Sequence, residues 1–79
     1  METKMSLFLS TVTVIDDGDE KSWLYGIMEV SWLDAKECLR RFLADQNIEF
    51  SKIEEPRLAK RGEAARLLNL PLCGVQRLF

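Results

Sequence analysis

"GEAARLLNLPLCGVQRLF", residues Gly62 to Phe79, is the stretch on which the fold of this chain turns. Read one way it is a helix, a turn and a second helix. Read the other way, a helix ends at Asn69 and Leu72 to Phe79 forms a last strand that completes a sheet. The choice depends on what lies upstream.

Ser6 to Ile15 is rich in β-branched residues and apolar on both alternating faces, which predicts a strand covered on two sides. Asp16-Asp17-Gly18-Asp19-Glu20-Lys21 follows, too polar to bury and containing Asp-Gly, a strong turn dipeptide. Trp23 to Val30 then reads as the second strand of a β-hairpin. The DDGDE cluster is expected to be a solvated tip. It lacks the spacing and the distant Glu of a calcium loop.

Ser31 signals a helix start: its hydroxyl can cap a backbone N–H, and Asp34 three residues on supplies the acidic partner of a capping box. Trp32, Ala35, Leu39, Phe42 and Leu43 recur at helical spacing with Cys38 beside them, so Trp32, Leu39 and Phe42 are expected to face the core. Glu37 and Arg41 are placed to pair at i, i+4. Asn47 is suited to the left-handed conformation that ends a helix. Ile48 to about Ile53 alternates as a third strand. Strand, helix and strand predict a crossover that sets Trp23–Val30 parallel to Ile48–Ile53. Pro56 can open a further helix, Arg57 to Asn69, weakened or split at Gly62.

Seventy-nine residues make at most one domain, near the lower size limit for folding alone, so dimerisation would help. The composition, 47% hydrophobic and 30% charged, is that of a folded chain rather than a disordered one. No run approaches the roughly 20 apolar residues needed to span a bilayer, and Met1 to Gly18 lacks the long apolar region and cleavage site of a signal peptide. The expected setting is cytoplasmic, without membrane contact. Cys38 and Cys73 lie 35 positions apart and the chain has no His. The expectation is two small, partly buried apolar residues and no metal or cofactor. Without His, a nucleophile motif, a phosphate loop or a dinucleotide turn, no catalytic residues are assigned.

The net charge of −2 is unevenly spread. Residues 1–55 hold six Lys/Arg against twelve Asp/Glu, a balance of −6; residues 56–79 hold five against one, a balance of +4. Such asymmetry can mark a binding face. Arg57, Lys60, Arg61, Arg66, Gln76 and Arg77 are the candidate partner-binding residues.

The quoted stretch resembles the helix-turn-helix of many small DNA-binding proteins. Ala65 stands where two helices approach closely, Asn69 at the left-handed turn, and Val75 and Leu78 where the second helix is anchored. The resemblance implies that Arg57, Lys60, Arg61 and Arg66 contact phosphate and that Gln76 and Arg77 read bases. Gly74 falls inside that second helix, and Leu72 and Cys73 would face the groove. A second stretch, "LYGIMEVSWLDAKECLRRFLADQNIEFSKIE" from Leu24 to Glu54, looks like the opening strand–helix–strand of a glutaredoxin, with Leu68 to Pro71, "LNLP", where that family has a proline. This implies a thioredoxin-like topology. The family's Cys pair before the helix is absent, since that place reads Glu29-Val30-Ser31-Trp32, so redox activity does not carry over.

The combined expectation is a single α+β domain over 1–79, ordered ββαβα with a possible C-terminal strand, a mixed sheet and helices packed on one face. The thioredoxin-like topology and a C-terminal helix-turn-helix are the alternatives. The expected function is non-enzymatic protein binding, as a small regulatory or inhibitory protein of a larger partner, with a mobile element as an expected source. DNA binding through residues 62–79 and a structural homo-oligomer are the alternative roles.

Overall fold

The computed structural model describes residues 4–60, 62 and 69–78. Its centre is one long hairpin. Strands β1 (Ser6–Asp16) and β2 (Asp19–Glu29) pair without a break from Ser6 opposite Glu29 to Asp16 opposite Asp19. The connection is the two-residue loop Asp17-Gly18, with φ of 51° and 83°. Two successive positive φ values suit the right-handed twist of the flanking strands, and Asp and Gly are residues that tolerate them. The tip from Asp16 to Ser22 is exposed, as its carboxylates require.

Helix α1 (Trp32–Asp45) begins two residues after β2. The Ser31 hydroxyl accepts from the Asp34 N–H at 3.2 Å and donates to the Asp34 carboxylate at 3.0 Å. Asp34 therefore answers through the Ser31 side chain rather than the backbone N–H of the usual capping box. Asn47 ends the helix at a φ of 56°. Glu37 pairs with both Arg40 and Arg41 at 3.7 Å on the solvent side.

Strand β3 (Phe50–Ile53) runs in the same direction as β2, as a strand–helix–strand crossover requires. It does not lie beside β2. It pairs antiparallel with β1, Val12 opposite Ile53 and Val14 opposite Phe50, with a register shift between Thr13 and Val14. Strand β4 (Arg57–Leu58) continues along the same edge of β1, with Phe8 opposite Leu58. Strand β5 (Val75–Arg77) takes the free edge of β2, with Ile27 opposite Val75 and Tyr25 opposite Arg77. The order is β3-β1-β2-β5, with β4 also on β1. Every pairing among the described residues is antiparallel.

The class is thus α+β, with α1 on an antiparallel sheet, and four expectations are corrected. The sheet is not mixed: β3 pairs antiparallel with the outer edge of β1, and the outer edge of β2 is taken by β5, also antiparallel. For the same reason the thioredoxin-like alternative, in which β3 would bond directly to β2, does not hold. The helix expected from Arg57 does not begin there. Pro56 is buried, Arg57 and Leu58 are extended, and the Ala59 N–H donates to the Leu7 carbonyl at 2.9 Å. Residues 61 and 63–68, the rest of that expected helix, lie outside the described residues apart from Gly62 and Asn69. The second helix of a helix-turn-helix is also not formed, because Val75–Arg77 is extended and paired to β2.

Two positions in the opening stretch explain that outcome. Cys73 has a φ of 62° and its N–H donates to the Met28 carbonyl at 2.8 Å, which turns the chain onto β2. A Cβ on Gly74 would meet the Pro71 carbonyl oxygen at 2.8 Å. Gly74, which would weaken a helix, serves here as the close approach of a turn.

The main core lies between the sheet and α1. Phe8, Val12 and Val14 alternate inward from β1, Tyr25 and Ile27 from β2, and Ala35, Cys38, Leu39 and Leu43 from the helix. Val12, Ile27, Leu39 and Leu43 are fully buried. Phe42 is half-buried and meets Tyr25 edge-to-face at 6.1 Å. Trp32, expected in this face, is 43% exposed. It sits at the first position of α1, past the end of β2. On the opposite sheet face Leu7 and Met28 are packed by Ala59, Leu70 and Leu78, so the start of β1 is covered on both sides as its sequence suggested. No described helix is long and apolar enough to cross a membrane.

Candidate functional site

The first site follows from the period-two geometry of β2. Trp23, Tyr25, Ile27 and Glu29 alternate onto the helix-facing side of the sheet. Toward the hairpin tip, where α1 has ended, Trp23 and Tyr25 border an open groove of about 350 Å³. Val14 and Ile15 of β1, the Asn47–Glu49 connection after α1, and Arg77 of β5 complete its walls, with Asp16 at the rim. The Arg77 guanidinium lies over the Trp23 ring, 4.2 Å from its centroid. Such stacking holds an arginine side chain on the wall it lines. Burial pushes the Tyr25 phenol above its ordinary range, and the Arg77 charge draws it partly back. Tyr25 therefore stays neutral across the physiological range.

The second site is at the far end of β2. Cys38 and Cys73 are joined by a disulfide, with Cα atoms 5.7 Å apart. This corrects the expectation of two unconnected apolar residues. Their 35-position separation carries no sign of proximity, which arises only because β5 packs on β2 beneath the helix. Glu29, 8% exposed, accompanies the pair. Its Oε1 accepts from the Val30 N–H at 2.9 Å, and its Oε2 lies 3.0 Å from the Cys38 sulfur. A sulfur in a disulfide carries no hydrogen, so it donates nothing to that oxygen.

The predicted partner-binding residues are not brought together. Gln76 and Arg77 are exposed on β5, at one edge of the sheet, and opposite Gly26 and Tyr25 they point to opposite faces. Arg57 is exposed on β4 at the other edge, and Lys60 is exposed just beyond it. Arg61 and Arg66 lie outside the described residues. Of the four that are described, Arg77 alone lines the groove. Trp23, Tyr25 and Glu29 are not among the six candidates. Glu29 had a legible signal: it is the acid that closes an otherwise apolar alternation of Trp23, Tyr25 and Ile27.

Comparisons with protein-family models, with curated proteins and with solved structures find no match to this chain.

Proposed function

We propose that this chain is a non-enzymatic protein-binding module, a small regulatory or inhibitory protein that receives a segment of a larger partner in the groove beside Arg77. The supporting observation is the arrangement of Trp23, Tyr25 and Arg77 around one open concavity. Trp, Tyr and Arg are the residues that most often dominate binding energy at protein interfaces. Trp23, partly exposed, and Arg77, exposed and already packed on its ring, offer the contact area and a charged end, while Tyr25 is 3% exposed and lies beneath them. Asp16 and Glu49 at the margin add charge that can select among partners. The hairpin and α1 hold Trp23 and Tyr25 on rigid elements, and β5 supplies Arg77.

The test is affinity purification with quantitative mass spectrometry, comparing wild type, Arg77→Glu on the groove wall and Arg57→Glu on the opposite edge. One protein should be enriched by wild type and Arg57→Glu and lost with Arg77→Glu. Titration with the purified partner should then give a defined stoichiometry. Submicromolar, sequence-selective binding of duplex DNA at physiological salt, abolished by Arg77→Glu, would overturn the protein-binding reading.

A further inference from the structure

We propose that the dithiol form of Cys38 and Cys73, together with Glu29, is a three-ligand site for a borderline transition ion of the zinc class. The site is separate from the groove and independent of the protein-binding reading. It rests on the convergence of three donors from three elements: Glu29 at the end of β2, Cys38 inside α1, and Cys73 in the turn before β5. Their ligand atoms all lie within 4.8 Å of one another.

The geometry meets the requirements of such a site. With Zn–S near 2.3 Å and Zn–O near 2.0–2.2 Å, a tetrahedral ion spaces its ligands about 3.5–3.8 Å apart. Opening the S–S bond lets the two sulfurs separate to that distance, and Glu29 Oε2 is already beside Cys38. The other carboxylate oxygen is held by the Val30 N–H, which aims Oε2 at the sulfurs; this is how groups behind a ligand orient it. Glu29 and Cys38 are buried, whereas Cys73 is exposed and gives the ion access. Two thiolates and a carboxylate gathered in a largely buried place repel one another, and a divalent cation is what neutralises them. The fourth position, on the Cys73 side, is left for water.

The disulfide is then the ion-free state of the same site. On reduction, a small-molecule thiol reagent takes up the bond: two external thiols become one external disulfide, and Cys38 and Cys73 gain a proton each. Binding the ion expels those two protons. In reverse, an external disulfide accepts two electrons from the bound thiolates and two protons from water, leaving as two thiols. The Cys38–Cys73 bond forms and the ion departs.

The full-length chain is reduced, freed of reductant without oxygen, and titrated with Co²⁺ and then Zn²⁺. The expected result is one ion per chain, with a thiolate-to-cobalt band in the near ultraviolet and the intense visible bands of four-coordinate cobalt, displaced by zinc. Glu29→Gln, which keeps the side-chain shape, should weaken affinity at least tenfold. The oxidised chain and Cys38→Ser should show no cobalt bands. If reduction unfolds the chain, stoichiometric Zn²⁺ should restore its circular dichroism. The proposal is overturned if the reduced wild type gives no cobalt bands, if zinc fails to restore a reduced chain that has unfolded, if Glu29→Gln binds as tightly as wild type, or if the ion links two chains.

Discussion

Residues 6–53 and residues 69–78 reach the same sheet by different means. In the first region each element is joined to the next through a short connection with its own signal: Asp17-Gly18 between the hairpin strands, Val30-Ser31 before α1, and Gln46 to Glu49, with left-handed Asn47, before β3. In the second region a three-residue strand pairs with residues about fifty positions earlier, Val75 with Ile27 and Arg77 with Tyr25. Contacts distant in sequence fasten it: the disulfide to Cys38, the Cys73 N–H on Met28, and Arg77 over Trp23. The connections of the first region are specified locally, and the second docks on a surface that the first provides. The groove lies where they meet, with Trp23 and Tyr25 from one and Arg77 from the other.

If this contrast is right, damage to the first region should disable both, and damage to the second should stay confined. The largest effect is expected from Leu39→Ala. Leu39 is fully buried between α1 and the hairpin, and such truncations cost about 2–5 kcal/mol, a large part of what a small domain possesses. Denaturant unfolding should show the loss as a lower midpoint by every probe, with β5 released together with the rest. Ser31→Ala removes the cap of α1 and should cost about 1 kcal/mol. Restoring the cap with Ser31→Thr or Ser31→Asp should recover most of it, since the interaction is local.

Arg77→Ala tests the other region. An exposed cation–π contact is worth roughly 0.5–1 kcal/mol, so global unfolding should change little. Trp23 fluorescence should nonetheless change, since the guanidinium leaves its ring. A loss as large as that of Leu39→Ala would show that β5 belongs to the same cooperative unit as the hairpin. The finest test is pH dependence at Tyr25, which both regions touch. Its raised value means that the folded state holds the phenol proton more tightly than the unfolded chain. That contribution is fully present below the ordinary phenol value of about 10 and is lost as pH rises through the higher folded value. Tyr25→Phe should therefore lessen the fall of stability with pH in that alkaline window and leave the slope near neutrality unchanged.

The same division explains what the amino-acid sequence revealed. The hairpin turn, the Ser31 cap, the Glu37–Arg41 pair and the Asn47 stop were legible because each is set by residues no more than four apart. The partner of β3 was not. Alternation at Ile48 to Ile53 shows that a strand exists and which face is apolar, but it does not choose between the edges of β1 and β2. Pro56 satisfied a helix-start rule, and its burial beside β1 overrode that rule. Trp32 had the right helical phase, but it stands at the first position of α1 and is 43% exposed. For the opening stretch the decisive facts lay elsewhere in the chain: a free β2 edge, Cys38 facing it and Glu29 nearby. The groove was visible only in part, through Arg77, because its other wall belongs to a strand read as structural.

Amide hydrogen exchange, compared between the disulfide-bonded chain and a Cys38→Ser/Cys73→Ser variant, tests this most directly. The account predicts that protection is lost across residues 73–78, including the Leu78 N–H bonded to Leu24. The amides that join β1 to β2, and those within Trp32–Asp45, should keep theirs. Equal loss of protection throughout the chain, or full retention of protection in residues 73–78, would contradict it.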